Sequence, residues 1–268
     1  MKAIGNWIVV YRAVAAAILR ARLTYRWNFM LDLFLQIVML LAELLVVVLI
    51  VTTVHGLGGW SVYQIVFLFG LSSLSSGLYR VFASEFHSFD KYLVNGEFDA
   101  VLTRPAPSLV VLSARSIDFA QAGIIIQGLA IVGYASQELH LWQLDGFSLL
   151  WQTAIAWISG GAIWVGIVII FATLGFWTTR IDDLAPVVLY GPETAANYPL
   201  SIYPRAIQAI FYGILPVAFG GYIPARVILH KDLGSVWLVI SLGVSILTLA
   251  FAILFWQIGV RRYTSTGS

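Results

Sequence analysis

The chain has 268 residues, of which 60% are hydrophobic and 10% charged, with a formal net charge of +2 and a mean hydropathy of +0.90. A soluble domain carries roughly 25% charged residues, so so apolar a surface belongs in lipid, and so small a net charge makes no case for a nucleic-acid partner. With no cysteine in the chain, disulfides and thiolate chemistry are excluded.

The chain opens on an amphipathic stretch. Ile4, Trp7, Ile8, Tyr11, Ala15, Ile18 and Leu19 share one helical face, and Arg20, Arg22 and Arg26 close it. No small-residue cleavage site follows "AVAAAIL", so the start reads as uncleaved, and residues 1–27 predict an interfacial helix on the cytoplasmic membrane surface. About 20 apolar residues are needed to cross the hydrocarbon layer. Six stretches meet that need: Phe29–Thr53, Val62–Phe82, Leu109–Tyr134, Ser148–Trp177, Ala206–Ile228 and Val236–Val260. The fourth is long enough to tilt or extend into water. The fifth contains Pro216 and Gly220-Gly221 and is predicted to kink or break. The expected fold class is an all-α integral membrane protein, a single domain with six transmembrane helices.

Orientation follows from the basic residues. With both termini inside, thirteen Lys and Arg fall on the cytoplasmic side, Arg80, Lys91, Arg104 and Arg205 among them, against Arg226 and Lys231 outside. Two polar segments, 83–108 and 178–205, are then cytoplasmic. Small residues in "GLSSLSSG" (Gly70 to Gly77) place Gly70, Ser73 and Gly77 on one helical face, a spacing that lets helices approach closely in lipid. Arg115 and Asp118, three apart, can pair across one turn near the start of the third span.

Catalytic chemistry finds little support. His55, His87, His140 and His230 have no metal-ligand spacing, and there is no G-x-S-x-G elbow, no H-E-x-x-H and no phosphate-binding G-x4-G-K. Glu43 is the exception worth following, because it lies near the middle of the first span with Gln36 two turns earlier. Two readings stay open for it: part of a polar translocation pathway or proton-linked site, or an acid neutralised by a neighbouring helix or a proton.

The segment "NGEFDAVLTRPAP" (Asn95 to Pro107) concentrates charge and helix breakers between two apolar spans. Phe89, Tyr92 and Leu93 form a short apolar face ended by Asn95-Gly96. A second short helix is expected from Glu97 to Arg104, stopped by Pro105, with Phe98, Val101 and Leu102 on its apolar face. Two turns are too few to be stable alone. The helix must rest on the membrane helices and present its charges to something cytoplasmic.

The run "LVNGEFDAVLTRPAPSL" and the later "NYPLSIYPRAIQAIFYGILPVAFGGYIPA", together with the span pattern, resemble a bacterial family of type-2 ATP-binding-cassette exporter permeases. Phe98 stands where a Leu is commoner. The resemblance implies an inner-membrane half-transporter, with a second permease subunit, identical or paralogous, a cytoplasmic ATPase dimer, and membrane lipid around it. ATP and Mg would sit on the ATPase, and this chain would bind no cofactor. The segment between spans two and three would be the coupling helix, with Lys91, Glu97, Asp99 and Arg104 as polar docking contacts and Phe98 and Leu102 as anchors. The cargo would be an amphipathic small molecule, lipid, peptide or glycan. Two rival readings are an ion-coupled secondary transporter using Glu43, and a non-transporting scaffold or lipid-modifying enzyme.

Overall fold

The computed structural model describes residues 26–53, 57–178 and 181–264, with Ala16, Arg20 and Thr24 besides. The expected interfacial helix over residues 1–27 lies almost wholly outside the described residues. Within them the protein is all-helical. Five helices are long and apolar enough to cross a membrane, or up to six if one bent pair counts as a span.

Helix α1 (Arg26–Thr53) and helix α2 (Val62–Phe82) are joined through a turn at Leu57–Trp60. Ser61 starts α2 with a capping box, its hydroxyl accepting from the Gln64 amide while Gln64 reaches back to the Ser61 amide at 3.1 Å. The expected boundaries of both spans stand. Helix α2 is buried along most of its length, whereas α1 leaves Phe34, Val38, Leu45 and Leu49 exposed. That contrast suits a helix that faces lipid.

Four short helical pieces follow: a 3-10 turn (Ser84–Ser88), α3 (Phe89–Val94), α4 (Glu97–Leu102) and α5 (Ser108–Arg115). Gly96 separates α3 from α4 at φ +69°, a left-handed conformation that only glycine adopts freely. Helix α4 is shorter than expected and ends at Leu102. Arg104, placed before Pro105, cannot continue the helix, and it closes a turn with its amide on the Val101 carbonyl at 3.3 Å.

The third span is a correction. The apolar run from Leu109 is not one helix: α5 stops at Arg115, and the membrane-length helix runs from Phe119 to Glu138, its regular part being α6 (Ala122–Glu138). At the break the Asp118 side chain accepts from the Ala120 amide at 3.1 Å. The backbone groups it frees are taken up at the end of α2, Asp118 N on Val81 O at 2.9 Å and Ser116 O under Ser84 Oγ at 2.7 Å. Arg115 and Asp118 therefore flank a break and do not share a helical turn.

Helices α2 and α6 pack through glycine. A Cβ on Gly70 would meet the Val132 amide at 3.0 Å, and one on Gly128 would meet Leu74 at the same distance. The small residues of "GLSSLSSG" thus serve close packing, as expected. Helix α7 (Leu141–Leu174) is bent at Asp145, whose carboxylate accepts from the Ser148 amide, so its membrane portion is Asp145–Leu174. Helix α11 (Val236–Arg262) packs along α7 and ends on Arg261 and Arg262. Between them lie α8 (Gly191–Ala196), α9 (Arg205–Ala209) and α10 (Tyr222–Ile228).

An aromatic knot ties the short helices to the span ends. Phe98 is fully buried, 5.4 Å from the rings of Phe89 and Phe176 and 5.0 Å from Tyr263. Trp256 of α11 stands 4.9 Å from Phe89 and donates its indole N–H to Ser108 Oγ at 3.1 Å. Edge-to-face rings of this kind each contribute about 0.5–1.5 kcal/mol beyond burial. Phe98→Ala is expected to lower the unfolding free energy by about 3 kcal/mol, read as thermal or denaturant unfolding in detergent. Leu102→Ala, on the exposed side of α4, is expected to change it by less than about 0.5 kcal/mol. Equal losses from the two would show that Phe98 does not seat the helix.

Candidate functional site

The polar residues of the membrane portion converge beside α2. Arg80, in the last turn of α2, meets Glu193 of α8 through two nitrogens: Nε to Oε1 at 3.1 Å, and Nη2 to Oε1 and Oε2 at 2.9 Å. The Tyr79 hydroxyl donates to Glu193 Oε2 at 2.8 Å. One turn on, Asn197, which caps the end of α8, donates its side-chain amide to Glu43 Oε1 at 2.9 Å. Glu193 and Asn197 are four apart, one helical turn, and so point to the same side.

This geometry revises the expected 178–205 loop. The chain does not stay at the Arg80 end of α2. Tyr190 stacks on His87 there, at 6.1 Å between ring centroids. The Ala196 carbonyl then accepts from Ser72 Oγ at 2.8 Å, halfway along α2. Ser201 and Ile202 end beside Gly58, in the turn that precedes α2. A helix of 21 residues is about 30 Å long, and residues 190–202 travel that length. Arg205 therefore belongs to the far end of α2 from Arg80.

The fifth expected span breaks as its proline and glycines predict, but its path differs. Arg205–Ile214 and Val217–Ile228 meet at 76°. At the bend, Gly220 O accepts from Ser75 Oγ at 2.9 Å, again halfway along α2. A Cβ on Gly160 of α7 would collide with that same carbonyl and with Ser75 Oγ. Beyond the bend the chain returns to the Gly58 end: Tyr222 stacks on Trp60 at 5.6 Å, and Lys231 Nζ donates to Gly59 O at 3.2 Å. Both ends of the bent pair thus lie at one end of α2.

A cavity of about 710 Å³ opens between α1, α2 and α8. Gln36 and Glu43 line it together, as do Arg80, Glu193 and Asn197. Sequence reasoning found Gln36 and Glu43 but missed the other three. In the sequence Arg80 marks only sidedness, and Glu193 and Asn197 fall in a polar segment between spans. The signal was the four-residue spacing of an acid and an amide in "PETAAN", facing an arginine inside the last turn of an apolar span.

Below the ion pair, His87 lies between two rings, 5.4 Å from Tyr79 and 6.1 Å from Tyr190. Burial, and next the Arg80 charge, hold its imidazole below the usual histidine pKa. Asp90 is buried in α3 with one carboxylate oxygen unpaired. Burial, then the neighbouring Asp182 carboxylate, raises its pKa. Among the docking residues expected from the sequence, Lys91, Glu97, Leu102 and Arg104 are exposed and Asp99 is half-buried beside the Tyr263 hydroxyl. Phe98 has no exposed surface, so it fastens α4 to this chain and has none to offer a partner. No group of three or more metal-ligating residues occurs among the described residues.

Residues 37–267 match the family model described as ABC-2 family transporter protein. The chain belongs to that family. Searches among curated proteins and among solved structures found no match. As an ABC-2 transporter membrane component it is a multi-pass membrane protein that works with an ATPase partner, and membrane subunits of this family normally lack ATPase activity of their own.

Because His87 is held neutral in the native state, its contribution to stability is present above the usual histidine range and is lost as pH falls. His87→Phe keeps a ring between the two tyrosines and removes the titration. Between about pH 7.5 and about pH 5.5, the melting temperature of the native protein should fall relative to that of the variant. Parallel curves would show that His87 is not buried neutral.

Proposed function

We propose that this ABC-2 transporter subunit is the permease half of an ATP-driven exporter of the bacterial inner membrane, with both termini cytoplasmic. Two such subunits, identical or paralogous, would stand on two ATPase subunits that hold ATP and Mg. The whole chain is then one transmembrane domain. Segment 83–108 faces the cytoplasm as the coupling region.

The observation that carries this reading is the way α4 is mounted. Its inner face is clamped by Phe98 and Val101, both fully buried, while Glu97, Leu102 and the following Arg104 point outward. A push on the outer face reaches the ends of α7 and α11 through Phe176 and Trp256. Lys91 extends the polar surface, and Asp99 sits at its edge. Leu102 is the apolar anchor on the partner, and Phe98 the anchor on this chain.

Residues 190–202 would cross from the cytoplasmic to the outer side beside α2, with the bent pair after them dipping in from the outer side. Arg205 then joins Arg226 and Lys231 outside. The cavity beside Glu43 and Gln36 belongs to the pathway, and its mixed apolar and polar lining suits an amphipathic cargo.

Glu97→Arg combined with Arg104→Glu reverses the exposed charges without touching the aromatic knot. Transport-stimulated ATP hydrolysis should fall at least tenfold, about 1.4 kcal/mol, while membrane insertion and melting temperature stay unchanged. ATPase assembly and turnover at native levels in that variant would defeat the coupling assignment.

A further inference from the structure

Among the described residues, three charged side chains line the cavity: Glu43, Arg80 and Glu193. Arg80 is committed to Glu193 by three hydrogen bonds, and Glu193 takes a fourth from Tyr79. Glu43 receives one bond, from the neutral amide of Asn197, and its side chain is exposed to the cavity. A carboxylate at mid-span is costly without a positive partner. None of the other described lining residues is cationic.

The surroundings add a second preference of the same sign. Tyr190 and Tyr198 line the cavity with Glu43, and tyrosine ring faces attract cations, the more so away from water. Leu35, Met39 and Val46 supply an apolar wall from α1. An anion would find no free cationic group among the described lining residues, since binding at Arg80 would break the pair with Glu193. The volume of about 710 Å³ falls within the range of small-molecule pockets.

We propose that this cavity selects amphipathic organic cations, with the charged group against the Glu43 carboxylate and the apolar substituents against α1 and the tyrosines. The inference rests on the reading of the cavity as part of the transport pathway and names its ligand class. Two sources share that chemistry: a free amphipathic cation, and the ammonium headgroup of a phospholipid.

The test is equilibrium binding to the purified full-length protein in dodecyl maltoside. Tetraphenylphosphonium and tetraphenylborate have the same shape and opposite charge. The phosphonium should bind at least about tenfold more tightly than the borate, and Glu43→Gln should remove that preference. Equal affinity of the native protein for both ions overturns the proposal without recourse to any variant. So does phosphonium affinity that Glu43→Gln leaves unchanged. Displacement of the phosphonium by phosphatidylcholine but not by phosphatidylglycerol assigns the site to a lipid headgroup, and resistance to both assigns it to a free cation. No ATPase is needed for this measurement. If the charge preference holds while the coupling variant hydrolyses ATP normally, the coupling assignment falls and the site stands; the reverse pair of results removes only the ligand class.

Discussion

An arginine at the end of an apolar span needs a counter-charge, and in this protein that requirement falls on Arg80. The guanidinium sits in the last turn of α2, after a run made largely of apolar and small residues. Its only salt-bridge partner among the described residues is Glu193, more than a hundred positions later. To bring Glu193 there, residues 190–202 must lie against α2. Once they do, Asn197 is delivered to Glu43 and the Ala196 carbonyl to Ser72. The cavity is the space left between this segment and the loosely packed α1. Removing one partner of this partly buried pair leaves the other charge uncompensated.

The second constraint is mechanical. Helices α3 and α4 have six residues each, too few to hold their shape unaided. Phe89 and Phe98 give them one, because both rings are shut inside the knot formed by Phe176, Trp256 and Tyr263. A short element held in this way moves with the ends of α7 and α11. The same reasoning separates the two apolar residues expected to act together: Phe98 is spent inward, while Leu102, four positions on, remains on the outer side. Nearby, the stack of Tyr79, His87 and Tyr190 joins the start of this segment to the ion pair.

Much of the architecture was legible in the chain. Spans one, two, four and six needed only length and apolarity, and their observed ends lie within a few residues of expectation. The failures share one cause. Leu109–Tyr134 reads as a continuous span because composition does not record that Ser84 and Val81 are waiting to take the groups freed at Ser116 and Asp118. The 178–205 segment reads as a loop because it is short of apolar residues. Within it, Glu193, the Ala196 carbonyl and Asn197 find their partners in Arg80, Tyr79, Ser72 and Glu43. Arg205 was placed by its neighbours in sequence, whereas its position follows from Ser201 and Ile202 beside Gly58.

What the sequence determined by itself is what depends on local composition and spacing. That covers the membrane setting, four of the long helices, the break at Pro216 and Gly220-Gly221, the stop between α3 and α4, and the resemblance later matched by the family assignment. Glu43 and Gln36 were visible as a polar pair because they share one helix. Which residues answer Glu43 and Arg80 was decided only by tertiary structure. Each partner lies far away along the chain, and a hydrogen bond across that separation leaves no periodicity to read. The physical reason is that lipid supplies no hydrogen bonds: every polar group in the spans must find its partner within the protein, and only the packed fold says which one.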